Sequence, residues 1–181
     1  MKKYVSMYAG LLGIAGIVVA LDQWTKWWVR ENIPFATQWL PDGLQWLMPY
    51  ARLVNWHNTG AAFGMFQDGA PIFTVLAFVV IGAILFYYPQ IASEGWMFRL
   101  ALSLQLAGAT GNLIDRLTQE GKVTDFISVG KFPVFNVADS AITVGTAILI
   151  LGVWLSERAA RQAQAESEAR MDGEQVLLSE E

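Results

Sequence analysis

Asp125 lies in the stretch GKVTDF, and Asp139 lies in FNVADS at the start of a long apolar run. A carboxylate close to hydrocarbon is costly, so it is normally buried in protein and functional. Two that converge form an acid–base pair. Like charges a few ångströms apart cannot both ionise, so one pKa rises and the pair shares a proton. The charged member can take a proton from a water while the neutral one polarises a carbonyl. Such hydrolysis needs no metal, and no metal or other cofactor is expected. The chain has no Cys, which excludes thiolate nucleophiles and Cys metal sites. Its one histidine, His57, makes a His metal site or a Ser-His-Asp triad a poor reading. His57 itself reads as an exposed or interfacial turn residue with no catalytic role.

Elements that carry charge into an apolar setting must first exist. Of the 181 residues, 54% are hydrophobic and 15% charged, against about 45–50% apolar in ordinary soluble domains. Eight tryptophans suit a protein with two water–lipid interfaces to mark. The lipid bilayer is therefore the first partner. A net charge of −4, much of it in the C-terminal tail, argues against nucleic acid.

Four stretches are apolar: Tyr4–Leu21, Gly69–Ser93, Leu100–Ile114 and Ser140–Ser156. The first, behind Lys2 and Lys3, has the outline of a signal peptide. It is longer than a usual apolar core and leads into LDQWTKWW without a small-residue cleavage site, so it reads as a retained span. The expected fold is an α-helical integral membrane protein with four transmembrane helices, in which 1–156 form one membrane domain. The segment 30–68 between the first two spans mixes Trp39, Leu40, Trp46 and Met48 with Pro41, Gly43 and Pro49. It reads as a small outer-face β or amphipathic segment on the lipid surface. Residues 157–181 read as a cytoplasmic helical extension ending in a frayed, disordered acidic tail.

An even number of spans puts both termini on one side, and Lys2, Lys3, Arg158 and Arg161 mark it as cytoplasmic. The complete set of Lys and Arg divides evenly between the two faces and adds nothing. Helix rise says more. At about 1.5 Å per residue, Lys3 to Asp22 covers roughly 28 Å, Arg99 to Asp115 roughly 24 Å and Asp139 to Arg158 roughly 28 Å, close to the roughly 30 Å hydrocarbon core. Asp22, Asp115 and Asp139 then share one depth near the outer face, with Asp125 in the turn beside them.

Each remaining motif has a structural and a functional reading. Asp22-Gln23-Trp24-Thr25-Lys26 suits a snorkelling helix end in which Asp22 and Lys26 form a local pair, with Trp24, Trp27 and Trp28 in the outer belt. Asn58-Thr59-Gly60-Ala61-Ala62-Phe63-Gly64 suits a re-entrant turn, or a small-residue site that leaves room for a ligand. Gly108 and Asn112 share a helix face, as do Asn112 and Arg116. An intramembrane Asn112 needs partners, while Asp115 and Arg116 suit either structural ion pairs or a site. Asn136 is placed to cap the fourth helix, with Asp139 favoured by its dipole. None of this explains why Asp125 faces that terminus.

Taken together, LDQWTK (Leu21–Lys26), NTGAAF (Asn58–Phe63), GNLIDR (Gly111–Arg116), GKVTDF (Gly121–Phe126) and FNVADS (Phe135–Ser140) resemble, in order, the lipoprotein signal peptidases. These are the bacterial type II signal peptidases, aspartyl protease family A8. The resemblance spans the first to the fourth span and leaves out the acidic tail. It implies an intramembrane aspartyl endopeptidase of the bacterial cytoplasmic (inner) membrane, with its site near the outer face. That enzyme removes the signal peptide from diacylglyceryl-modified prolipoproteins, cleaving just before the lipidated cysteine. The implied dyad is Asp125 and Asp139, either of which can be the base. The implied supporting residues are Asp22, Lys26, Asn58, Gly60, Gly108, Asn112, Asp115, Arg116 and Asn136. Globomycin-type inhibitors should block it, and a monomer is expected. The competing readings are a proton-coupled transporter using the carboxylate cluster, a divalent-cation site and a non-catalytic scaffold. The first should carry its carboxylates at the midplane between repeated halves, and no internal repeat is present.

Overall fold

The computed structural model describes residues 2–60 and 69–179, with side chains described for 7–60 and 69–167. The Ala61–Gly64 end of the small-residue motif lies outside the described residues, as do the side chains of Lys2, Lys3 and Arg170.

Four long helices and one small sheet make up the fold: α1 (Lys2–Asn32), β1 (Gln38–Trp39), β2 (Ala51–Asn58), α2 (Ala70–Ile91), α3 (Trp96–Thr118), β3 (Val123–Val129) and α4 (Val137–Ser179). Three helical stretches are long and apolar enough to cross a membrane, Met7–Asn32, Ala70–Glu94 and Val137–Ser167. Their large side chains point outward, as Ile72, Phe78 and Phe86 on α2 and Ile150 and Trp154 on α4 do, which suits helices facing hydrocarbon. The expected third span corresponds to α3, which differs from the others. It packs against α1, α2 and α4 and buries twelve residues, among them Ser103, Asn112 and Asp115.

The first apolar stretch ends at Asp22 in the sequence, but α1 runs on to Asn32. Asp22 is therefore not a snorkelling helix end. Asp22, Lys26, Val29 and Ile33 continue one buried face, while Trp24 and Trp27 stay exposed on the other side. The charges do not stop the helix because α3 supplies partners for them.

Close approach between α3 and α4 rests on glycine. A Cβ on Gly108 would strike the Ala138 carbonyl oxygen and the Ile142 side chain, and one on Gly145 would come within 2.9 Å of the Ala101 carbonyl. Gly108→Ala is therefore expected to push the helices apart, at an overpacking cost of about 1–3 kcal/mol. A lowered thermal midpoint in detergent, with reduced activity, is the check.

β2 lies between β1 and β3 in an antiparallel sheet. The segment between α1 and α2 thus contains strands, with a short 3-10 turn over Gln45–Leu47. His57 sits on β2 rather than in a turn, exposed against the Phe35 ring. GKVTDF is likewise no polar turn: its Val123, Thr124, Asp125 and Phe126 are all buried in β3. Register pairs Trp56 with Asp125 and His57 with Thr124, and Phe126 packs on Val29 of α1 and on Ile33 just beyond its end. That contact fixes β3 against the helices. α4 continues as a helix to Ser179, so a helical extension follows the fourth apolar stretch.

Candidate active site

Asn136 joins the two carboxylates. Its side-chain oxygen accepts from the Asp139 N–H at 2.9 Å, and its own N–H donates to Asp139 Oδ2 at 3.2 Å. This reciprocal cap closes the first turn of α4. The Asn136 Nδ2 donates to Asp125 Oδ1 at 2.7 Å and to Asn112 Oδ1 at 3.1 Å. Asn58 Nδ2, arriving on β2, donates to Asp125 Oδ2 at 3.1 Å, while Asn112 Nδ2 donates to Asp139 Oδ1 at 2.8 Å. Each carboxylate thus receives amide donors on both oxygens, and both line one cavity. Gly60 lines it too, its N–H bonded to Asn58 Oδ1 at 3.0 Å.

Behind the two cavity carboxylates lies a second cluster with a fully buried centre. Lys26 Nζ contacts Asp22 Oδ2 at 2.9 Å, Asp115 Oδ2 at 3.3 Å and Asn112 Oδ1 at 3.0 Å, with Lys26, Asp22 and Asp115 all 0% exposed. Asp22 Oδ1 accepts the Ala138 N–H at 2.8 Å, and Asp115 Oδ2 accepts the Thr124 N–H at 2.9 Å. These are the residues immediately before Asp139 and Asp125. The two inner aspartates therefore grip the backbone beside each cavity aspartate, and Lys26 ties the grips together. Gly111 permits this, since a Cβ there would stand 2.5 Å from Asp22 Oδ2. Gln23 and Arg30, which sequence reasoning passed over, complete the cluster. Gln23 Nε2 donates to Asp22, Asp115 and the Gly111 carbonyl, and Arg30 reaches Thr124 Oγ1 at 3.0 Å and Asp115 at 3.9 Å. The polar i, i+4, i+8 stripe of Asp22, Lys26 and Arg30 was the available signal.

The cavity encloses about 810 Å³. One wall is apolar, with Phe73, Leu76, Val80, Ile142 and Phe135, and the polar side presents Asn58, Asn112, Arg116, Asp125 and Asp139. Arg116 lies 5.5 Å from the Phe73 ring centre, and its buried Nε has no hydrogen-bond partner among the described residues. Arg116 thus differs from Asp115: it faces the cavity while its neighbour faces α1. Burial, and then the charge of Asp139, push Asp125 up to about 7, against the opposing hydrogen bonds from Asn58 and Asn136. His57 is lowered, by burial and by Lys122 and Arg30.

A helical membrane protein whose cavity holds two amide-bridged aspartates, Asp125 buried and Asp139 partly so, has the makings of an intramembrane hydrolase. The family model for Signal peptidase (SPase) II matches residues 14–155. The lipoprotein signal peptidase of Shouchella clausii is 38% identical over 152 residues, covering 80% of this chain and 93% of that protein. The lipoprotein signal peptidase of Acinetobacter baylyi is 35% identical over 158 residues, covering 81% and 83%. A solved bacterial membrane enzyme superposes with a TM-score of 0.73 at 28% identity, covering 81% of this chain and 88% of its own. The chain belongs to the signal peptidase II family and is an aspartic peptidase.

Proposed function

We propose that this protein removes the signal peptide from diacylglyceryl-modified prolipoproteins, cutting just before the lipidated cysteine, with Asp125 and Asp139 as the catalytic pair. The observation that carries this reading is Asn136, which bonds both carboxylates that line a cavity with one apolar wall. One carboxylate, protonated, polarises the scissile carbonyl; the other, charged, deprotonates the attacking water. Asn58, Asn112 and Asn136 hold the pair, and Arg116 faces the substrate. Asp22, Lys26 and Asp115 support them from behind. Four spans, with α3 as the third, would put both termini on the cytoplasmic side and the pair near the outer face. A lipidated cysteine reaches that depth without leaving its leaflet. Globomycin-type inhibitors are expected to occupy the same cavity.

The test is cleavage of a purified diacylglyceryl-prolipoprotein by the wild-type protein in detergent or nanodiscs. Absence of cleavage, with the protein folded, would overturn the reading. The same assay gives a pH prediction. The active pair carries one proton, and Asp125 loses its proton near pH 7. Hence kcat/KM, which reports the free enzyme, is expected to fall about tenfold per pH unit above that point. The limb belongs to the pair rather than to one residue. Asn58 stabilises the charged form of Asp125, so Asn58→Ala should move the limb to higher pH; a limb that stayed put would remove Asn58 from the pair's surroundings.

A further inference from the structure

Gln105 stands seven residues before Asn112 on the same face of α3. Gln105, Ala109, Asn112 and Arg116 follow the i, i+4, i+7, i+11 spacing of one helical stripe, and all four line the cavity. The Gln105 stem packs on α4, its Cγ 3.2 Å from where a Cβ on Gly145 would stand. Its side-chain amide has no hydrogen-bond partner among the described residues, and the cavity it lines is also lined by Leu76, Ala77, Val80, Ile142 and Val144. The amide is therefore free to bond whatever enters the cavity.

We propose that Gln105 is a substrate-positioning residue whose amide donates to a main-chain carbonyl of the signal peptide, about three residues before the scissile bond. This rests on the prolipoprotein reading above. Helix rise puts Gln105 about 10 Å along α3 from Asn112, the residue that holds Asp139. An extended chain covers about 3.3 Å per residue, so the interval corresponds to about three residues. The dyad reaches a peptide bond only where the substrate is unwound. Unwinding leaves the last four carbonyls of the preceding helix without their intrahelical donors. In hydrocarbon each of those needs a replacement. Gln105 offers two N–H groups at that depth.

The experiment measures kcat, KM and thermal midpoint for Gln105→Leu and Gln105→Met on a lipidated prolipoprotein. A second substrate carries an ester in place of the amide that supplies the third carbonyl before the cleavage site, which weakens that acceptor. Expected is a KM raised about five- to tenfold in both variants, the worth of one hydrogen bond. With it, kcat should stay within about twofold and the midpoint should not fall. The ester should raise KM for the wild type and leave the variants' KM unchanged. Unchanged KM in both variants overturns the proposal, as does a lowered midpoint with KM intact, which would make Gln105 a packing residue of α3 on α4. Failure of the wild type to cleave at all would instead remove the prolipoprotein reading.

Discussion

Asp125→Asn and Asp139→Asn are each expected to lower prolipoprotein cleavage at least about a thousandfold while leaving a folded protein. The substitution removes the group that holds or releases the proton but keeps the side-chain shape. In Asp125→Asn, one of the two amides now bonded to Asp125, from Asn58 and Asn136, meets an NH₂ in place of an oxygen. That lost bond costs about 1–2 kcal/mol. It is offset because a carboxyl whose ionisation is opposed by burial and by Asp139 is replaced by a neutral group. Asp139→Asn keeps one oxygen for the Asn136 N–H and so keeps the cap on α4. Thermal midpoints close to wild type, with retained globomycin binding, would separate lost chemistry from lost structure. Full activity in either variant would overturn the pair.

The distinction between the two pairs of aspartates was only half legible in the sequence. Asn136 and Asp139 lie three residues apart, so local capping rules anticipate their contact. Asn58 and Asp125, 67 positions apart in the chain, meet only because β2 and β3 pair in one register. No local pattern in GKVTDF announces a buried strand, because its burial comes from α1 and β2. Counting apolar residues also stops at the first charge. It therefore ends α1 at Leu21, although the helix continues to Asn32. What carries it on is α3, whose Asn112 and Asp115 accept from Lys26. The same cause sets α3 apart: it is polar where it serves the site and is shielded by three other helices. Helix rise brought Asp22, Asp115 and Asp139 to one depth with Asp125 beside them, but only the contacts divide the four into a cavity pair and a buried support.

Lys26→Met is expected to give the largest loss of stability in the chain, about 3–5 kcal/mol, read as a steep fall in thermal midpoint. All three Lys26 donors are engaged, by Asp22, Asp115 and Asn112. Without them, two carboxylates with no exposure keep, among the described residues, only Arg30, 3.9 Å from Asp115, as a counter-charge. The loss is a large share of the roughly 5–15 kcal/mol that holds a typical protein folded. It also has a catalytic consequence. Asp22 holds the Ala138 N–H and Asp115 holds the Thr124 N–H, so the first turn of α4 and the start of β3 lose their anchor together. Asp125 and Asp139 would then drift relative to each other even in molecules that stay folded. Activity should therefore fall with stability, unlike in Asp125→Asn, where it falls alone. Adding Asp22→Asn and Asp115→Asn to Lys26→Met removes the unpaired charges while leaving an oxygen for each backbone N–H. The triple variant should recover part of the midpoint. A midpoint unchanged in Lys26→Met alone would show that the lysine does not neutralise the cluster and that the two grips stand without it.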